Sequence, residues 1–243
     1  MTLKTNRIES YYDLQEVEVE EEELTQSFAH FVAIQYLIAV LEWLFDGKDG
    51  KTVGIVSNVN FYQTDPKDET DTKDDKPKSP DVAVVEGLVP AERSGKESSY
   101  YVGKDGPPPL VAFEVASKET WRNDLVNKPD SYTDMGILEY FTFDPNEPSV
   151  WTGDWREETR LVGWQRDTIS GKYRELKKDA EGRLWSEQLQ SWLVMEGKYL
   201  RLYTRDGQRR LTGLEAQTQR AEAQTQQAAL ERTRAEAQAR QAA

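Results

Sequence analysis

Apolar residues between positions 28 and 45 recur at intervals of three and four, which predicts a long helix. Thr25 or Ser27 is placed to cap its start, and Asp46-Gly47 is placed to end it. We expect this helix to pack on a sheet through its apolar residues, which are Phe28, Phe31, Val32, Leu37, Ile38, Leu41, Leu44 and Phe45.

Short apolar runs separated by polar segments predict the strands of that sheet. The runs are residues 52–62, 81–85, 110–115 and 138–145, with polar loops at 65–78 and 91–109. A helical pattern at 121–135 is interrupted by Pro129, and proline is tolerated in the first turn of a helix but not in its interior. The main helix is therefore predicted to begin at Lys128 or Pro129 and to end near Gly136. This order of elements predicts an α/β fold in which helices cover the sheet.

The region after residue 148 differs from this core. It is rich in tryptophan, with turn signals at Ser170-Gly171 and Glu181-Gly182. We predict β-hairpins, a short helix near 186–193 and a last strand at 200–203. The predicted domains are a core at 1–147, a Trp-rich β-hairpin extension packed on the core at 148–210, and a tail at 211–243.

The tail is predicted to be helical because alanine, glutamine, glutamate and arginine dominate it. Alanine recurs every seven residues from Ala221, but from Gly213 onward Leu214 and Leu230 are the only large apolar residues. This is too little apolar surface for a stable coiled coil, so we expect a solvent-exposed or partner-dependent helix. Residues 213–243 could join two copies of the chain or bind another protein.

Composition limits the chemistry and the partners. The chain has no cysteine and one histidine, so a metal site must use mainly oxygen ligands, which favours Mg²⁺, Mn²⁺ or Ca²⁺. A net charge of −13 argues against a tight, autonomous DNA-binding protein. We find no signal peptide, and residues 28–45 are interrupted by polar side chains, so we expect a cytoplasmic protein without a membrane partner.

Asp81 and Glu114 each place one acid in an apolar strand, and Lys128 follows on the next segment. A buried carboxylate is costly unless something compensates its charge. If the two carboxylates hold a cation and the ammonium lies beside it, the group suits hydrolysis of a phosphodiester. The alternative is structural: Asp81 ends a turn, and Glu114 and Lys128 form a plain ion pair.

For the other candidate residues, a structural role is the first interpretation. His30 is expected to be a core or helix-surface histidine before a catalytic one, and Tyr132 to serve packing. Ser117 could orient Glu114 by a hydrogen bond. The acidic run at 18–23 is expected to be solvated, although Glu22 or Glu23 could reach a metal from the helix start.

Several segments together resemble the Uma-two family of putative restriction endonucleases, within the PD-(D/E)XK nuclease superfamily. They are Pro80-Asp81-Val82-Ala83-Val84-Val85, Phe113-Glu114-Val115-Ala116-Ser117, Asp124, Lys128, Tyr132, Gly136-Ile137-Leu138-Glu139-Tyr140 and Asp144-Pro145. The resemblance covers about residues 10–205 and implies a restriction-endonuclease-like core, a central mixed sheet flanked by helices. The chain departs from the family pattern at Lys118, where the family often has proline, and in the long charged loop before Pro80.

The resemblance also implies an activity. Asp81 and Glu114 take the metal-ligand positions for Mg²⁺ or Mn²⁺, and Lys128 takes the place of a catalytic lysine that has migrated to the following helix. The implied function is that of a metal-dependent endonuclease acting on DNA in a bacterial cytoplasm. The alternative is a catalytically silent protein of nuclease fold that acts through its helical tail.

Overall fold

The computed structural model describes residues 21–47, 52–63, 76–89, 99–151 and 159–241, with side chains from residue 28 onward. The helices are α1 (Glu21–Phe45), α2 (Trp121–Val126), α3 (Lys128–Asp134) and α4 (Gly213–Gln241). The strands are β1 (Val53–Val56), β2 (Asn60–Tyr62), β3 (Val82–Glu86), β4 (Ser99–Tyr101), β5 (Val111–Val115), β6 (Glu139–Phe143), β7 (Leu161–Arg166), β8 (Tyr173–Glu175), β9 (Leu184–Ser186), β10 (Ser191–Glu196) and β11 (Tyr199–Tyr203).

Helix α1 covers one face of the main sheet, as its apolar spacing predicted. It ends at Phe45, and Gly47 follows with a φ of +64°. Thr25 and Ser27 lie inside the helix, so the prediction that one of them caps it is wrong. The buried stripe repeats at intervals of three and four and consists of Ala33, Leu37, Val40, Leu41 and Leu44.

Polar side chains interrupt residues 28–45 of α1, but they do not make this segment too polar to cross a membrane. Within the part of the chain that the structure describes, Phe28–Phe45 is long and apolar enough to cross a membrane by length and composition, with a mean hydropathy of 1.7. A helix packed in the core of a protein passes the same test, and the stripe on α1 packs against β3 and β5.

The main sheet has six strands in the order β1-β3-β5-β6-β7-β8. Strands β5 and β6 run parallel and the other neighbours run antiparallel, so the sheet is mixed. Side chains of one face, such as Val82 and Phe113, pack with α1, and those of the other, such as Ala83 and Ala112, pack with α2 and α3. The predicted α/β fold with a central mixed sheet flanked by helices is confirmed.

The predicted strand at 52–62 is two strands. Asn58 has a φ of +55°, in the left-handed region, and the chain changes direction there. Strand β2 then leaves the main sheet and pairs in parallel with β4, in a two-stranded sheet that the sequence did not predict.

The tryptophan-rich region contributes to two sheets. Strands β7 and β8 extend the main sheet beyond β6, whereas β9, β10 and β11 form an antiparallel sheet. The predicted turns are present, with Gly171 and Gly182 both at positive φ. The short helix predicted near 186–193 is wrong, because a turn joins β9 to β10 there. The predicted division into domains at 1–147, 148–210 and 211–243 stays a prediction.

The tail is a single helix, as predicted. Thr212 and Glu215 form a capping box at its start: the Glu215 backbone N–H donates to Thr212 Oγ1 at 3.1 Å, and the Thr212 N–H donates to Glu215 Oε2 at 2.8 Å. Ala216 is buried, and every residue from 217 to 241 is exposed. Helix α4 therefore leaves the body of the protein after its first turn.

Candidate active site

Asp81 lies just before β3 and reaches across to β5. The backbone N–H of Val115 donates to Asp81 Oδ2 at 2.7 Å, and His30 Nε2 of α1 lies 3.6 Å from Asp81 Oδ1. Burial acts to raise the pKa of Asp81, but the contacts with His30 and Val115 and the charge of Lys128 outweigh it and lower the pKa. Asp81 is therefore held as a carboxylate beside the residue that follows Glu114.

Glu114 lies within β5, and its side chain is on the face opposite to Phe113 and Val115, which pack with α1. It is 3% exposed. Oε1 accepts a hydrogen bond from the hydroxyl of Tyr132 and lies 2.7 Å from Lys128 Nζ. Burial raises the pKa of Glu114 to about 8; the charge of Lys128 opposes this rise and the charge of Asp81 adds to it. The effect of Asp81 indicates that the two acids share one electrostatic environment.

Lys128 is the first residue of α3, and Pro129 follows it in the first turn, as the sequence predicted. Its Nζ lies between two carboxylates, 2.7 Å from Glu114 Oε1 and 2.8 Å from Asp124 Oδ1. Burial acts to lower the pKa of Lys128, but the two acids outweigh it and raise the pKa. The site therefore contains a partly buried, permanently charged ammonium.

Asp124, on α2, is a site residue to which the sequence analysis gave no role. It is 0% exposed, and burial raises its pKa although Lys128 opposes the rise. Its Oδ2 accepts a hydrogen bond from Thr120 Oγ1 at 3.0 Å, and its backbone carbonyl accepts one from Tyr140 Oη at 2.7 Å. Two signals in the sequence pointed to it: its place among the residues that carry the family resemblance, and its spacing of four residues from Lys128, which is common on helices.

The remaining candidates have mixed outcomes. Tyr132 is buried as expected, but it also donates to Glu114. His30 contacts Asp81, so it belongs to the site and is more than a surface residue of α1. The described hydrogen bonds of the Ser117 hydroxyl are with Thr120, which favours the simpler interpretation of a serine at a strand end over one that orients Glu114. Residues 18–23, with Glu22 and Glu23, lie outside the residues whose side chains are described.

In the structure, the Lys128 ammonium contacts the carboxyl group of Glu114. The carboxylate of Asp81 contacts the backbone of Val115, the residue after Glu114. The ion pair of the structural alternative is present, so this contact by itself fits both interpretations. Among the side chains that the structure describes, no group of three or more histidines and acids is arranged to hold a metal. The donor set is two carboxylates, which suits Mg²⁺ because that ion keeps several waters and binds through one or two carboxylates.

The chain can be compared with curated proteins and with solved structures. A comparison with curated proteins gave no match. A solved structure of a putative nuclease belonging to DUF820 from Anabaena variabilis ATCC 29413 matches with 10% identity and a TM-score of 0.37, and covers 63% of this chain and 73% of that chain. Similarity at that level carries no argument about this chain.

The family comparison is more extensive. The Uma2 (Uma-two) family, described as putative restriction endonuclease, matches residues 8–191. These residues include every described member of the candidate site and all strands of the main sheet. The resemblance read from the sequence is confirmed, and with it the restriction-endonuclease-like fold class. Because the match spans more than half of the 243 residues, this chain belongs to the Uma2 family of putative restriction endonucleases.

Proposed function

We propose that the protein is a metal-dependent endonuclease that hydrolyses phosphodiester bonds of DNA. Membership of a family of putative restriction endonucleases supports nuclease chemistry. The observation that carries the proposal is a combination: the Lys128 ammonium lies 2.7 Å from Glu114, and the carboxylate of Asp81 is held by the backbone N–H of Val115, the residue after Glu114. A charged lysine beside two acids is the set of groups that cleavage of a phosphodiester requires.

Each of the three residues has a defined part in the proposal. Asp81 and Glu114 would hold Mg²⁺ or Mn²⁺, and the ion would supply a Lewis acid for the scissile phosphate and for the attacking water. Glu114 must release its proton first, since its pKa of about 8 favours the protonated form at neutral pH. Lys128 presents a fixed positive charge to the negative charge that develops on the phosphate.

The net charge bears on how the substrate is held. A chain with a charge of −13 repels DNA at long range, so we propose that contact depends on the cation and on local positive charge. We also propose that the protein works in the bacterial cytoplasm without a membrane partner. Both proposals follow from the sequence.

Nicking of supercoiled plasmid DNA in Mg²⁺ or Mn²⁺ tests the proposal. We expect the wild type to nick and Asp81→Ala to lose both nicking and cation binding in a calorimetric titration. We expect Lys128→Ala to keep cation binding and to nick only at a slow residual rate. Asp130→Asn removes an exposed carboxylate from the same helix as Lys128 and is the matched control. Folded wild-type protein that nicks no DNA in either metal would contradict the proposal.

A second candidate function is a catalytically silent protein that binds a partner through its tail. The observation that favours it is the complete exposure of residues 217–241 of α4. This candidate differs from the nuclease in a measurable way, because Asp81→Ala would then change no activity of the protein.

A further inference from the structure

We infer that Asp124 is a positioning residue of this site, which keeps the Lys128 ammonium in place while a cation occupies Glu114. The inference rests on the proposed nuclease function and deepens it. The juxtaposition that supports it is a single ammonium shared by two carboxylates, of which only Glu114 is a proposed metal ligand.

The first step concerns competition for Glu114. Lys128 and Tyr132 both contact Oε1 of this side chain. A divalent cation bound to Glu114 neutralises the charge that attracts Lys128, and it also repels the ammonium directly. Among the described ion pairs of Lys128, the one with Asp124 is then the pair that still attracts it.

The second step concerns how firmly Asp124 is itself held. The two oxygens of its carboxylate have different partners. Oδ2 accepts a hydrogen bond from Thr120 Oγ1 at 3.0 Å, and Oδ1 lies 2.8 Å from Lys128 Nζ. Its backbone carbonyl accepts from Tyr140, which is fully buried in β6. Thr120 is in turn fixed by hydrogen bonds with Ser117, directly after β5. Asp124 is thus tied to the two strands next to the site.

The third step concerns geometry. Helix α2 ends at Val126 and α3 begins at Lys128, so Asp124 and Lys128 lie on different helices although they are four residues apart. Lys128 has a flexible stem, and on its own it would not hold its ammonium in one place. The ion pair with Asp124 supplies that restraint, and orientation of a reacting group contributes to rate.

The test uses Asp124→Asn, which keeps the shape of the side chain and an oxygen that can accept from Thr120 but removes the charge. We expect kcat for plasmid cleavage to fall by about 100-fold. We expect KM for DNA, cation binding by calorimetry and the thermal midpoint to stay close to those of Asp130→Asn. Asp130 is exposed on α3, so its removal controls for the loss of one negative charge.

A double variant separates positioning from a structural role. If Asp124 acts through Lys128, then Lys128→Ala with Asp124→Asn cleaves as slowly as Lys128→Ala alone and no slower. A purely structural residue would lower the thermal midpoint and slow the lysine variant further.

Three results would overturn the inference. Asp124→Asn could cleave as fast as Asp130→Asn, the double variant could be slower than Lys128→Ala, or cation binding could fall with kcat. Each of these leaves the nuclease function standing, because the wild type is active in all three. A folded wild type that cleaves nothing overturns the function and the inference together.

Discussion

The two proposed metal ligands differ in how readily they release a proton. Asp81 is stabilised as a carboxylate by the Val115 N–H and by His30, and its pKa is lowered despite burial. Glu114 is sealed within the sheet, and its pKa is raised to about 8 although Lys128 is beside it. The site without a cation therefore holds one ionised acid and one acid that is protonated at neutral pH.

This difference predicts a pH dependence of stability. As the pH rises, Glu114 ionises near its ordinary value of 4.5 in the unfolded chain but only near 8 in the folded one. The folded state thus loses stability between these values, by about 1.4 kcal/mol for each pH unit that separates them. We expect denaturant unfolding of cation-free protein to show a steeper fall over this window for the wild type than for Glu114→Gln. Parallel curves for the two proteins would contradict the prediction.

The sequence predicted those candidate site residues that have a local pattern, and it did not predict the contacts that depend on tertiary structure. Asp81, Glu114 and Lys128 are recognisable as acids in apolar strands and a lysine at a helix start. His30 meets Asp81 only because α1 packs over the sheet, and no local pattern records that contact. Asp124 and Tyr132 were visible, but their contacts with Lys128 and Glu114 were not.

At the level of helices and strands, the sequence succeeded where one strong local rule applies. Pro129 fixed the start of α3, and the apolar spacing fixed the body of α1. It failed at 186–193, where Glu139 of β6 overrides the helical pattern. This buried carboxylate accepts hydrogen bonds from Ser186 Oγ at 2.5 Å and from the backbone N–H of Glu187 at 2.8 Å, which holds a turn there.

We expect Ser186→Ala to lower the free energy of unfolding by about 1.5–3 kcal/mol, because it removes a hydrogen bond to the buried carboxyl group of Glu139. Ser170→Ala is the matched control, since Ser170 lies exposed in the turn before β8. Urea unfolding of both variants gives the comparison. Equal stability of the two would show that the turn does not depend on the serine hydroxyl.

The whole molecule consists of a body, which the family match covers as far as residue 191, and a long helix that leaves it. The root of α4 is held by Arg201 and Arg209, each 3.4 Å from Glu215. Beyond that root, residues 217–241 are exposed. Arg220 lies over the ring of Trp43 at 5.8 Å, but because residues 217–241 are exposed along their whole length, they contribute little to the stability of the body.

Removal of the residues after Gln219 keeps the root of α4 and tests this division. We expect the free energy of unfolding to change by less than about 0.5 kcal/mol, and plasmid nicking to stay as in the full chain. Light scattering after size exclusion of both proteins shows whether the tail joins copies of the chain, as a fall in molar mass on truncation. Loss of cooperative unfolding would contradict the prediction.

The position of Lys128 has a consequence for the stability of the protein when its proposed metal is removed. The ammonium already supplies a counter-charge to Asp124, and Glu114 carries no charge while it is protonated, so neither acid needs a divalent ion in order to be buried. In a zinc finger, by contrast, removal of the metal unfolds the domain. We therefore expect a chelator to stop the proposed DNA cleavage without unfolding the protein, and added Mg²⁺ to restore the cleavage.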